Sequence, residues 1–335
     1  MNIRELVVGS FIALCAGVTG PAMADSVHLE VGYIPILAST PLFIIQNEGW
    51  AEKQGLDLHL TKFESGTAAI QALAAGRVDV IYAGIGPVLV ARGTGVPVSV
   101  VATSAVEELA LVARGDLADY RRALPGAQAI DKLWAEKKRK VRIATQPSGS
   151  VPDTVLRYWL TKVAKIDMSH VELVSMGIEN TQQALLANAI DAAMIREPTI
   201  TIIQEQDPKA AVIALGGEMF PNQPGTVVAV RGPIIHDHRE AVDKLVRLQV
   251  QAVDLTHTDS ARAARDAHEF IGKGLIELPV MERAIKSPAS KFVSDPHSIV
   301  EATQRMLTFQ TESGINATTT PAEQGFDFSF FDSIR

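Results

Sequence analysis

The nine residues QALAAGRVD at 71–79 return 112 positions later as QALLANAID at 183–191, with Gln, Ala, Leu, Ala and Asp in register. A short match can arise by chance, but a duplicated structural unit must hold its offset over whole elements. This one does. At the same spacing Pro35 in GYIPILAS falls on Pro147 in ATQPSGS, and the apolar segment 27–34 falls on 139–146. Hydrophobic periodicity around the repeat reads as strand 27–34, helix 42–55, strand 56–63, helix 67–76 and strand 78–85. The same order follows as strand 140–146, helix 153–166, strand 171–176, helix 181–190 and strand 191–195. Alternation of this kind predicts an α/β fold of two lobes, each a mostly parallel sheet flanked by helices. Ligands of open parallel sheets bind beyond the carboxyl ends of the strands, so two such lobes predict a cleft between them.

Composition narrows the function classes. Hydrophobic residues make up 47% of the 335 and charged residues 21%, the profile of a globular chain long enough for two cores. The net charge of −7 supplies no basic face for nucleic acid, and the one basic run, KKRK at 137–140, reads as a solvated helix end. The N-terminus reads as a cleaved signal peptide, residues 1–24. Arg4 precedes an apolar run from Leu6 to about Val18, and Ala22 and Ala24 in PAMADS stand where a signal peptidase reads small residues. Cys15 is the one cysteine and lies within that segment, preceded by Leu14 where a lipid-anchor signal has a small residue. The mature chain is therefore expected to be exported to the periplasm and to rest on core packing without disulfides.

The loops that follow the strands share a chemistry: PILAST, ESGT and GIGP in the first half, QPSGS, MGIEN and REP in the second. Ser65, Gly66 and Thr67 open one helix, and Ser148, Gly149 and Ser150 open another. Helix N-termini carry unpaired N–H donors and a partial positive charge, which suits an anion, although the same residues are also ordinary N-caps. Arg196 ends a buried strand at the cleft edge. Two readings stay open for it: a bidentate contact to a sulfonate, carboxylate or phosphonate, or an ion pair with Glu197 or another carboxylate of the lobe. No catalytic constellation is evident, since GIGPVL at 84–89 lacks the dinucleotide glycine pattern and no G-x-S-x-G elbow occurs. His236 and His238 in HDH read as solvated surface residues rather than metal ligands. Neither a cofactor nor a metal is expected.

FESGTAAIQALAAGRVDVIYAGIGP, followed by VRIATQPSGS and ANAIDAAMIREP, resembles the periplasmic solute-binding proteins of ABC importers for nitrate, aliphatic sulfonates and taurine, a group that includes binders of pyrimidine precursors. The resemblance implies a type II periplasmic-binding-protein fold, lobes joined by crossover strands, closure on a small ligand and docking on a membrane permease. It implies ligand contacts near Ile36, Ser65 to Thr67, Ile85, Gly86, Ser148 to Ser150 and Glu197; Tyr33 and Met176, at strand ends beside these loops, complete the candidate set with Arg196. Many sulfonate binders carry an aromatic residue where this chain has Arg196, so a sulfonate, another anion or a neutral pyrimidine-like thiamine precursor all stay open as ligand. An enzyme on the same fold would be expected to use a Cys-rich motif, which the mature chain lacks. Lobe one is expected over 27–108 and 217–335 and lobe two over 109–216, with the polar segment 115–140 capping lobe two and the tail 325–334 docking as a strand. A monomer is expected.

Overall fold

The computed structural model describes residues 26–271, 273–315 and 321–334; the signal segment with Cys15 lies outside these. Twelve strands are present among the described residues: β1 (Val27–Tyr33), β2 (Leu56–Lys62), β3 (Val80–Gly84), β4 (Val98–Thr103), β5 (Ala105–Val106), β6 (Ala110–Ala113), β7 (Val141–Thr145), β8 (Val171–Ser175), β9 (Ala192–Ile195), β10 (Ala211–Leu215), β11 (Thr226–Arg231) and β12 (Lys291–Phe292). They form two five-stranded sheets, in the orders β2-β1-β3-β11-β4 and β10-β6-β9-β7-β8, and a small β5–β12 pair.

The two large sheets are the same sheet built twice. In each, three strands pair in parallel, β2-β1-β3 and β8-β7-β9. A reversed strand then follows, β11 or β6, and an outer strand, β4 or β10, is antiparallel to it. Four of the five strands thus point one way. The reversed strand in each sheet is the one that arrives from the other lobe: a chain entering at the cleft must run away from it, against strands whose carboxyl ends face it.

The repeated text marks the most strictly copied unit. Helix Gly66–Ala74 and helix Ile178–Leu186 are offset by 112 residues at both ends. Each closes through one left-handed residue, Gly76 at φ +70° and Asn188 at φ +55°. The Asp that follows does the same work in both lobes. Asp79 Oδ2 accepts the Glu30 N–H at 3.1 Å while its own N–H donates to Glu30 O at 2.7 Å. Asp191 Oδ2 accepts the Arg142 N–H at 2.8 Å and its N–H donates to Arg142 O at 2.9 Å. Each Asp therefore pins the third strand of its sheet to the first.

Strand alternation distributes the cores. Leu29, Val31 and Tyr33 pack with helix Thr40–Asn47 and helix Arg239–Thr258 on one face of the first sheet, and Ile81 and Ala83 pack with helix Gly66–Ala74 on the other. In the second sheet Leu111 and Ala113 face a core continuous with the first lobe, while Ala110 and Val112 face helix Thr199–Gln206. The segment 115–140 forms helices Gly115–Ala123 and Gly126–Lys137 packed on β10 and β7. The tail departs from the strand expectation. Phe326 makes a single bridge to Val100, and Ser329–Asp332 turns into a helix because Phe330 and Phe331 are consecutive and both buried, which a strand's alternation forbids. No helix of the described residues is long and apolar enough to cross a membrane.

Candidate functional site

The carboxyl ends of β1, β3, β7 and β9 converge between the two sheets, and two small adjoining cavities lie there. One is bordered by Ile36, Gln146, Thr181, Met194, Arg196 and Thr199. The other is bordered by Ile34, Ile36, Gly66, Gly84, Ser150 and Arg196, with Gln146 again between them. Ile36, Gln146 and Arg196 line both.

Arg196 stands directly after β9 and is buried. Its Nε donates to Glu108 Oε1 at 2.5 Å. Glu108 precedes β6 on one crossover, and its other oxygen accepts from the N–H and Oγ1 of Thr226, at 3.2 and 2.9 Å, where the second crossover begins β11. The guanidinium is held from its Nε side, and among the described residues its Nη atoms take no partner. Gln146 directly follows β7, is 6% exposed, and its side-chain amide likewise takes no partner among the described residues. Gln146 is not among the site residues expected from the sequence. It lay in the quoted QPSGS loop at the position equivalent to Ile34, and its signal was a polar residue where the other lobe has an apolar one.

The helix starts behave as caps. Ser65 Oγ accepts the Ala68 N–H at 3.2 Å, and Ser150 Oγ accepts the Asp153 N–H at 3.4 Å. Gly66 and Ser150 border the cavities. Thr67, Ser148 and Gly149 border instead an apolar groove shared with Ile70, Val90 and Ile315, where Thr67 Oγ1 is buried without a partner among the described residues.

The remaining candidates lie behind these surfaces. Tyr33 packs edge-on against Phe43, Ile85 is fully buried in the core, and Met176 packs on the outer core of the second sheet. Gly86 meets the other lobe: a Cβ there would lie 2.9 Å from Gly149 O. Glu197 turns from the cleft because its carboxylate accepts the N–H and Oγ1 of Thr201, both at 3.1 Å, at the start of helix Thr199–Gln206. Its backbone O accepts from Leu37 N across the lobes at 3.1 Å. Burial raises the Glu197 carboxyl above its ordinary pKa, outweighing hydrogen bonds from Ser287 and Thr201 that lower it. Among the described residues His236 pairs only with its neighbour Asp237, both on the surface.

Around the cleft the lobes are in contact. Lys62 reaches Glu179 at 3.2 Å, and Gln310 Nε2 donates to Thr154 Oγ1 at 2.8 Å. The two lobes thus meet around a polar seam.

The NMT1-like family model matches residues 22–272. The chain belongs to the NMT1-like family. A Brucella abortus relative described as a binding protein is 30% identical over 269 residues, 78% of each chain. Among solved structures, the periplasmic nitrate-binding protein of Synechocystis superposes with a TM-score of 0.76 at 16% identity, over 90% of this chain and 85% of that one. The alkanesulfonate-binding protein of Xanthomonas axonopodis, bound to MOPS, gives a TM-score of 0.72 at 18% identity, over 91% and 100%. This NMT1-like chain therefore has the periplasmic-binding-protein fold.

Proposed function

We propose that this chain is the solute-binding component of an ABC importer, and that it takes a compact solute with an anionic head, a sulfonate, taurine-like acid or small oxyanion, by closing its lobes and passing it to a membrane permease from the periplasm. One observation carries the reading: Arg196, fixed through Nε by Glu108, and the unpartnered amide of Gln146 border the same closed seam. A guanidinium edge and an amide offer several N–H donors, and hydrogen bonds to a charged group contribute about 1.5–3 kcal/mol each. Two or three such bonds, with the helix start at Gly66, suffice for roughly micromolar binding, about −8 kcal/mol. The Glu108 partner also balances the Arg196 charge, which is the observation favouring the second reading, a neutral pyrimidine-like ligand.

Titration calorimetry against nitrate, bicarbonate, methanesulfonate, taurine and an aminopyrimidine separates the two. The expected outcome is binding of at least one anion, weakened about tenfold by Gln146→Ala, the loss of roughly one hydrogen bond. Arg196→Met combined with Glu108→Gln, which leaves no unpaired buried charge, is expected to abolish anion binding while the protein still folds. Binding of the aminopyrimidine with no response to any anion would overturn the anionic reading.

A further inference from the structure

Outside the cleft, the β1–β2 pair carries a second group of convergent side chains. His28 and Glu30 alternate on β1, and Asp57 and His59 on β2. The parallel register sets His28 beside Asp57 and Glu30 beside His59. The four side chains occupy one square, with imidazoles on one diagonal and carboxylates on the other. His28 Nδ1 lies 3.0 Å from Asp57 Oδ2 and His28 Nε2 lies 2.9 Å from Glu30 Oε1. His59 Nε2 is 3.5 Å from Asp57, and the two imidazole rings are 4.4 Å apart. One ligand atom each from His28, Glu30 and His59 fall within 4.8 Å of one another. Leu29 and Leu58 between them, and Val31 and Leu56 beside them, are buried on the opposite face and hold both strands in place.

We propose that His28, Glu30 and His59 bind a divalent transition-metal ion of the zinc class, with Asp57 holding the His28 ring. Two imidazoles and one carboxylate make a three-ligand site whose fourth position is open to water or a partner group. Ligands 2.0–2.2 Å from a tetrahedral centre stand roughly 3.3 Å apart, a spacing these exposed side chains reach with small rotations. Asp57 on His28 Nδ1 supplies the outer carboxylate that fixes a ligating imidazole's tautomer and aims its Nε2 at the metal. Nitrogen donors select zinc, nickel or copper over magnesium and calcium. The site lies toward the amino ends of the strands, whereas the cleft lies at their carboxyl ends, so metal and solute do not compete. A bound ion would tie the sheet's edge strand β2 to β1.

Calorimetric titration of tag-free, chelator-stripped protein with zinc chloride tests the assignment. One ion per chain is expected with a dissociation constant in the micromolar range, together with a rise in melting temperature and no response to magnesium. His59→Ala and His28→Ala are each expected to weaken binding more than tenfold, and Asp57→Asn by about tenfold, the usual cost of losing an outer-shell partner. All three positions are solvent-facing, so their melting temperatures without metal should match the parent. A control lacking His236 and His238 should bind zinc normally. No zinc binding at 100 µM, unchanged binding in both His28→Ala and His59→Ala, or loss of binding in the control would overturn the proposal.

Discussion

Arg196 and Glu108 are 88 residues apart in sequence and 2.5 Å apart in space, and both are buried. A buried pair of this kind rarely adds much net stability, because desolvation offsets attraction, but removing one partner strands the other charge at a cost of about 3–5 kcal/mol. Its value here is geometric: a guanidinium gripped at Nε keeps one orientation. That its partner is Glu108 and not the adjacent Glu197 is not legible in the sequence, since nothing local tells which carboxylate a crossover will carry to the strand end. Glu197 has a different physics. With its carboxyl raised by burial, the folded state holds the proton more tightly than the unfolded state. That contribution is complete below the unfolded pKa, about 4.3, and is lost as pH rises through the folded value. Glu197→Gln keeps an oxygen for Thr201 and removes the titration. Its melting temperature relative to the parent is therefore expected to improve from pH 4.5 to pH 7.5, by differential scanning at three pH values. A gap that narrows with rising pH would show that the charged form is the one the fold stabilises.

At the scale of elements, the duplicated nine residues were legible because they hold three locally encoded events together: a helix face, a left-handed stop and an Asp that ties two strands. All three recur at Gly76 and Asn188 and at Asp79 and Asp191. The reversed strands β6 and β11 were not legible as reversed, because direction follows from which lobe the chain has just left and not from alternation. Gln146 and the His28–Glu30–Asp57–His59 square escaped for a related reason: each gains its neighbours only through strand register. Asp191 shows what the copied unit contributes. It accepts the Arg142 N–H at 2.8 Å and both Nη atoms of Arg139 at 2.7 Å. The exposed Arg139 pair adds little, whereas the bond to the strand backbone is charge-assisted. Asp191→Ala is expected to cost about 2 kcal/mol, lowering the melting temperature by several degrees, and Asp79→Ala to cost about as much. A cost below about 0.5 kcal/mol at both would mean that the strands hold their register without the pin.

For the whole molecule, the contact between the lobes rests on two bare backbone positions more than on the ion pairs around the rim. Lys62–Glu179 is half exposed on both sides, and such pairs contribute about 0–1 kcal/mol and fade with salt. Gly84 and Gly86 instead let the lobes touch: a Cβ on Gly84 would stand 2.9 Å from Val151 Cγ2, and one on Gly86 would stand 2.9 Å from Gly149 O. The first contact ends on a side chain that can turn, but the second ends on backbone that cannot retreat without moving the Ser148–Ser150 loop. Gly86→Ala thus tests the proposed closing of the lobes. It sits inside helix Ile85–Gly93, where Ala is favoured over Gly by up to about 1 kcal/mol, so the open protein should be as stable as the parent or slightly more so. The lobe contact seen here has no room for the methyl group, so, with the proposed closing on solute, ligand affinity is expected to fall tenfold or more. In solution scattering, the drop in radius of gyration expected of the parent with ligand should shrink or vanish in the variant. If Gly86→Ala binds and compacts as the parent does, the lobes do not meet at Gly149 in the bound state, and the clamp would have to close about another line of contact.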